Sequence, residues 1–70
     1  MNLSPKEKEV LTLVALGYSD KEIGVRLKLT YGTVRTYVDR SIYKLNARNR
    51  TNAAVIYSLK NSELILKIYK

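Results

Sequence analysis

Residues 19–38, SDKEIGVRLKLTYGTVRTYV, decide the fold. Ser19 and Glu22 stand three apart, the spacing of a capping box, in which each side chain satisfies an orphan backbone donor of the other residue. Tyr18 and Ile23 occupy the staple positions before and inside the helix so begun, and Ile23 and Leu27 share one face. Only Lys28, Leu29 and Thr30 follow before the next start signal, Thr30 itself, a threonine suited to an N-cap. Val34, Val38, Ile42 and Leu45 then recur at helical spacing as an inner stripe about four turns long, and the opposite face carries Gly32, Arg35, Thr36, Asp39 and Tyr43. The spacing predicts a short helix over Asp20–Leu27 and a longer one over 31–45, joined by a three-residue turn.

Outward from this pair the punctuation continues. Ser4, Pro5 and Glu7 form a second capping box with proline at the first helical position. A helix is expected from Pro5 to Leu16, with Val10, Leu11 and Val14 on its inner face and Gly17 as its stop. A fourth helix is expected after Thr51, reaching Lys60. Its Ala54, Val55 and Leu59 are read as core-facing, which leaves Ala53, Ile56 and Tyr57 partly outward. Residues 61–70, NSELILKIYK, fit a helix or an extended tail equally, because Leu64, Ile65 and Ile68 suit either. The reading is an all-α, four-helix domain over 1–60 with a short C-terminal tail over 61–70.

Composition narrows the chemistry. The 70-residue chain has no cysteine and no histidine. It therefore lacks disulfides, thiolate metal sites, the commonest metal ligand and the commonest general base. Asp20 and Glu22 read as helix-start residues rather than a catalytic pair. No enzyme, no metal site, no cofactor and no small-molecule ligand are expected. The longest uncharged stretch, Val10 to Ser19, has ten residues, short of the ~20 that span a bilayer. Charges at 6–9 interrupt any signal-peptide core. The expectation is a cytoplasmic protein without membrane contact.

Thirteen basic against six acidic residues give a net charge of +7, which favours an anionic partner. Between Tyr31 and Arg50 lie Arg35, Arg40, Lys44, Arg48 and Arg50 against Asp39 alone, so four of the seven net charges fall there. Two short helices joined by a tight turn form a helix-turn-helix, whose second helix enters the major groove of DNA while the first braces it. The helix over 31–45 is apolar on one side and hydrogen-bonding on the other, as that task demands.

The segments LSPKEKEVL, GYSDKEI, TVRTYV and KLNARNRTNAAV, in this order and spacing, resemble the LuxR/GerE-type DNA-binding domain of bacterial transcription regulators, over about residues 3–57. The resemblance implies a four-helix domain whose third helix reads double-stranded DNA and whose fourth mediates dimerisation, here through Ala53, Ile56 and Tyr57. Carried over by position, Arg35, Thr36 and Asp39 face bases. Thr30, Thr33, Lys44, Arg50 and Lys21 are the phosphate contacts. Five positions depart from the family pattern. Tyr37 stands for a frequent histidine, Ser41 for an aliphatic residue, Gly24 for alanine and Asn46 for glycine, and Asp39 is acidic where base-reading members are often basic or small and polar. Aspartate repels phosphate but accepts from a cytosine amino group.

The family usually joins this domain to a sensor or receiver. The start at Met1, three residues before the first cap, is read as favouring a stand-alone small regulator. The alternative is a protein-interaction module that binds another regulator or RNA polymerase and no longer touches DNA itself. Region 4 of sigma factors offers a similar helix-turn-helix, and Arg40 matches the arginine-rich character of its third helix.

Overall fold

A computed structural model describes residues 2–61. Four helices occupy this span: α1 (Pro5–Ala15), α2 (Asp20–Leu27), α3 (Tyr31–Lys44) and α4 (Arg50–Lys60). Each begins where a side chain accepts a free backbone N–H. Ser4 and Glu7 close the first capping box, Ser19 and Glu22 the second, and Thr30 accepts from the Thr33 amide. The start of α4 lies earlier than the sequence reading placed it. Asn49, not a residue at 51, is its cap: Asn49 Oδ1 accepts from the Asn52 amide at 2.8 Å, and Asn52 Oδ1 accepts from the Arg48 amide at 2.9 Å. Two asparagines three apart, one capping the helix and the other holding the amide just before the cap, make a start signal that a search for Ser/Thr with Glu overlooks.

Three helices end in the same way. Within two residues of each helix end the chain turns left-handed, at Gly17 (φ 94°), Lys28 (φ 58°) and Asn46 (φ 54°). The following amide turns back five residues, Tyr18 to Leu13 O, Leu29 to Gly24 O and Ala47 to Ile42 O, at 2.8–3.0 Å. This is the Schellman closure, which satisfies carbonyls that the helix leaves unpaired. Asn46, in place of the family's usual glycine, adopts the left-handed conformation that asparagine tolerates best after glycine. At Lys28 that conformation falls on a residue with no preference for it, where the amides of Lys28 and Leu29 both close on Gly24 O. The turn is also tight: a Cβ on Gly24 would lie 2.7 Å from the Leu29 carbonyl oxygen, so the family's usual alanine requires that turn to stand farther out.

α1 packs against the other three helices. Val10, Ile23, Val34 and Val38 form one buried cluster, which joins α1 to the α2–α3 pair, with Tyr18, Leu27, Leu29, Tyr37 and Ile42 packed around it. Leu11, Ala53 and Tyr57 form a second, which joins α1 to α4. Each fully buried aliphatic side chain contributes roughly 1.5–3 kcal/mol. The staple pair, Tyr18 and Ile23, meets in the first cluster as expected.

The expected orientation of α4 is corrected. Ala53 and Tyr57 lie in the core, while Val55 and Leu59 are 50% and 78% exposed. Ala54 and Ile56 are half-buried. The cause is Tyr57, whose hydroxyl lies 2.9 Å from Thr12 Oγ1 inside the domain. Thr12 already donates its proton to Lys8 O at 2.8 Å, so Tyr57 is the donor to Thr12. A pattern reading that ranks aliphatics above tyrosine turns the helix the wrong way. Of the tail, Asn61 ends α4, its amide donating to Tyr57 O at 3.0 Å. The choice between helix and extended chain beyond it falls outside the described residues.

Candidate nucleic-acid interface

α3 is the one helix of the α2–α3 pair with a broad polar outer face. Val34, Val38 and Ser41 point inward, and Gly32, Arg35, Thr36, Asp39, Arg40 and Tyr43 are exposed. At 100° per residue, Gly32, Thr36, Asp39, Arg40 and Tyr43 form the outermost strip, and Arg35 stands on the shoulder toward α2. Ser41, where an aliphatic residue is usual, is fully buried yet satisfied, because its hydroxyl donates to Tyr37 O at 2.8 Å.

The three base candidates differ in what they offer. Arg35 keeps half of its side chain exposed while one edge of its guanidinium lies 3.5 Å from Asp20 Oδ2. Thr36 gives its proton to Gly32 O at 3.0 Å, so it presents a methyl group and an acceptor oxygen. Asp39 is exposed, and among the described residues no ion pair engages it.

The phosphate candidates divide similarly. Thr30 accepts from the Thr33 amide and donates to Thr33 Oγ1 at 2.9 Å, so its proton is taken. Thr33 Oγ1 accepts from Thr30 and donates to no group among the described residues, so its proton is available at the start of α3, where free backbone amides favour an anion. Lys21 is exposed at the start of α2. Lys44 and Arg50, by contrast, face inward. Lys44 Nζ donates to Glu7 Oε1 at 2.8 Å, and Arg50 donates to Asp20 Oδ1 and, at 3.3 Å, to Tyr18 O. The fold gives both an internal role that the charge count did not reveal. Arg40 and Arg48 are exposed and unpaired among the described residues, and they extend the basic rim beside α3. Arg40 was legible as the residue one turn after Thr36.

Glu7 ties this interface to the core. Its side chain is 2% exposed. Burial pushes its carboxyl up, but hydrogen bonds from Lys44 and the Ser4 amide, with the Lys44 charge, outweigh burial and hold it below its ordinary value. No buried polar side-chain atom among the described residues lacks a partner.

A helix braced by its neighbour, polar on its outer face and rimmed by cations, defines a helix-turn-helix domain of the nucleic-acid-reading kind. The sequence profile of the bacterial regulatory proteins of the luxR family matches residues 1–57, and the chain belongs to that family, one of DNA-binding regulators and not of enzymes. It is 52% identical over 54 residues to the uncharacterized transcriptional regulatory protein YvfU of Bacillus subtilis, covering 77% of this chain and 27% of that protein. Over 62 residues it is 47% identical to the probable transcriptional regulator ycf29 of Porphyra purpurea, covering 89% of this chain and 29% of that one. Over 60 residues it is 42% identical to the transcriptional regulatory protein LiaR of Bacillus subtilis, covering 86% and 28%. The chain thus spans under a third of the length of these curated relatives. No helix among the described residues is long and apolar enough to cross a membrane.

Proposed function

We propose that this chain is a sequence-specific DNA-binding transcription regulator that lays the N-terminal half of α3 in the major groove. The observation that carries the reading is the outer face of α3, which holds Arg35, Thr36 and Asp39 outward on a helix braced by α2. Arginine recognises guanine O6 and N7 with two N–H groups, and aspartate accepts from cytosine N4. Thr33, Lys21, Arg40 and Arg48 approach phosphates, and the first turn of α3 adds backbone donors. The reading places the protein in the cytoplasm with its DNA.

The test is selection from random oligonucleotides with purified protein, then titration of the selected duplex. Arg35→Ala should weaken that duplex by about 1–3 kcal/mol and relax one position. Equal loss on every sequence would remove Arg35 from base readout. Binding to random duplex should weaken as salt rises. Binding that ignored salt would favour the alternative, a module for another regulator or RNA polymerase.

A single small domain reads few base pairs, and two related by a two-fold axis double the site. We place the dimer contact on α4, on the exposed Val55 and Leu59 with half-buried Ala54 and Ile56 beside them, rather than on Ala53 and Tyr57. If each subunit neutralises three or four phosphates, log affinity should fall against log salt with a slope of roughly −5 to −7. Sedimentation showing one subunit on a saturated, asymmetric site would refute the dimer alone.

A further inference from the structure

We infer that Asp20 is a positioning residue for base recognition: it holds one edge of the Arg35 guanidinium so that the remaining N–H donors are presented to DNA. The inference rests on the reading of α3 as the recognition helix. Asp20 is the first residue of α2 and its side chain is 9% exposed. Two attachments fix it. The start of a helix favours a negative charge, and Arg50, itself bonded to Tyr18 O, donates to Oδ1. The other oxygen, Oδ2, faces Arg35 at 3.5 Å. Ser19 and Glu22 cap α2, and holding Arg50 requires only one of the two Asp20 oxygens.

The chemistry matches the need. A guanidinium carries five N–H donors in a flat fork, and one edge can rest on a carboxylate while another meets a base. A free arginine loses much rotamer freedom when it docks on guanine, and one already leaning on a fixed carboxylate loses less. The carboxylate also selects an orientation, since a fork turned toward a phosphate must leave it. Asp20 brings a negative charge close to the DNA surface, which lowers affinity for every duplex. Its contribution therefore appears in discrimination between sequences rather than in binding as such.

The experiment uses the whole chain and two duplexes: the selected site and the same site with the Arg35-read base pair exchanged. The ratio of the two affinities is measured for wild type, Asp20→Asn, Arg35→Ala and the double variant. Asparagine keeps the shape and can still accept from Arg50. Arg35→Ala should lower the ratio about 10-fold or more. Asp20→Asn should lower it roughly 3–10-fold, a part of that effect, with random-duplex binding unchanged or tighter. In the Arg35→Ala background Asp20→Asn should lower it no further. A merely structural role reduces the folded fraction, which scales both affinities alike and leaves the ratio untouched, so an unchanged ratio in Asp20→Asn overturns the proposal. A further fall in the double variant overturns it too, since Asp20 would then act on another residue. If Arg35→Ala itself leaves the ratio unchanged, base reading by Arg35 fails, and the positioning role with it. Asp20→Ser, also suited to a helix start, serves if the asparagine variant does not fold.

Discussion

The two ends of α3 are held by carboxylates from other helices, and the two attachments differ in kind. At the C-terminal end Lys44 meets Glu7 of α1, with the carboxylate 2% exposed and the ammonium side chain 26% exposed. At the N-terminal end Arg35 meets Asp20 of α2, with the arginine half exposed and the carboxylate shared with Arg50. The first pair is closed: Glu7 Oε1, which takes Lys44, also accepts from the Ser4 amide at 2.7 Å, so one buried oxygen serves the cap of α1 and the anchor of α3 together. The second is open on the side where DNA is proposed to lie. Burial decides the difference. An ion pair out of water is costly to break, while one in water is nearly neutral to stability and free to be exchanged for another partner. The same type of contact therefore locks one end of the helix and leaves the other available.

The largest expected effect breaks the closed pair. Lys44→Ala should cost about 2–3 kcal/mol in urea unfolding, somewhat less than a fully buried pair because the ammonium side chain is partly solvated. If Lys44 acted only on phosphate, stability would hold and affinity for all duplexes would fall alike.

The same pair predicts a pH dependence. Glu7 titrates below its ordinary value of 4.5, so its stabilisation is complete above that pH and is lost as pH falls through the lower, folded-state value. In acid titrations followed by circular dichroism, Glu7→Gln should be less stable than wild type near neutrality, and the gap should close toward low pH. A gap that persisted at the acid end would remove the ionised carboxylate as its cause.

A smaller effect should appear on the open side. A Cβ on Gly32 would meet no atom within 4 Å. Gly32→Ala should therefore stabilise the free domain by about 0.5–1 kcal/mol through helix propensity, raising the melting temperature by a few degrees. Destabilisation would mean that this turn of α3 is constrained from within the domain.

The smallest effect is Arg35→Ala, whose stability should stay within about 0.5 kcal/mol of wild type in the same unfolding assay, since its pair is half exposed. A loss as large as that of Lys44→Ala would erase the contrast between the two ends.

The helix starts at Ser4, Ser19 and Thr30, the turn at 28–30 and the inner stripe through Val34 and Val38 were legible in the chain, because caps and helical periodicity are local: residues three or four apart satisfy one another whatever the rest of the molecule does. The exposed face of α3 was legible for the same reason. The Asn49 cap, with Asn52 holding the Arg48 amide, was equally local but lay outside the Ser/Thr pattern. What only the tertiary structure decided were contacts distant in sequence. Lys44 finds Glu7 37 residues away, and Arg50 finds Asp20 30 away, so residues counted as free cations became anchors. Tyr57 finds Thr12 45 residues away, which rotated α4 and brought Val55 and Leu59 to the surface. Periodicity reports which face of a helix is apolar. It does not report which polar group will be drawn inside, because that depends on a partner whose position is set only when the helices meet.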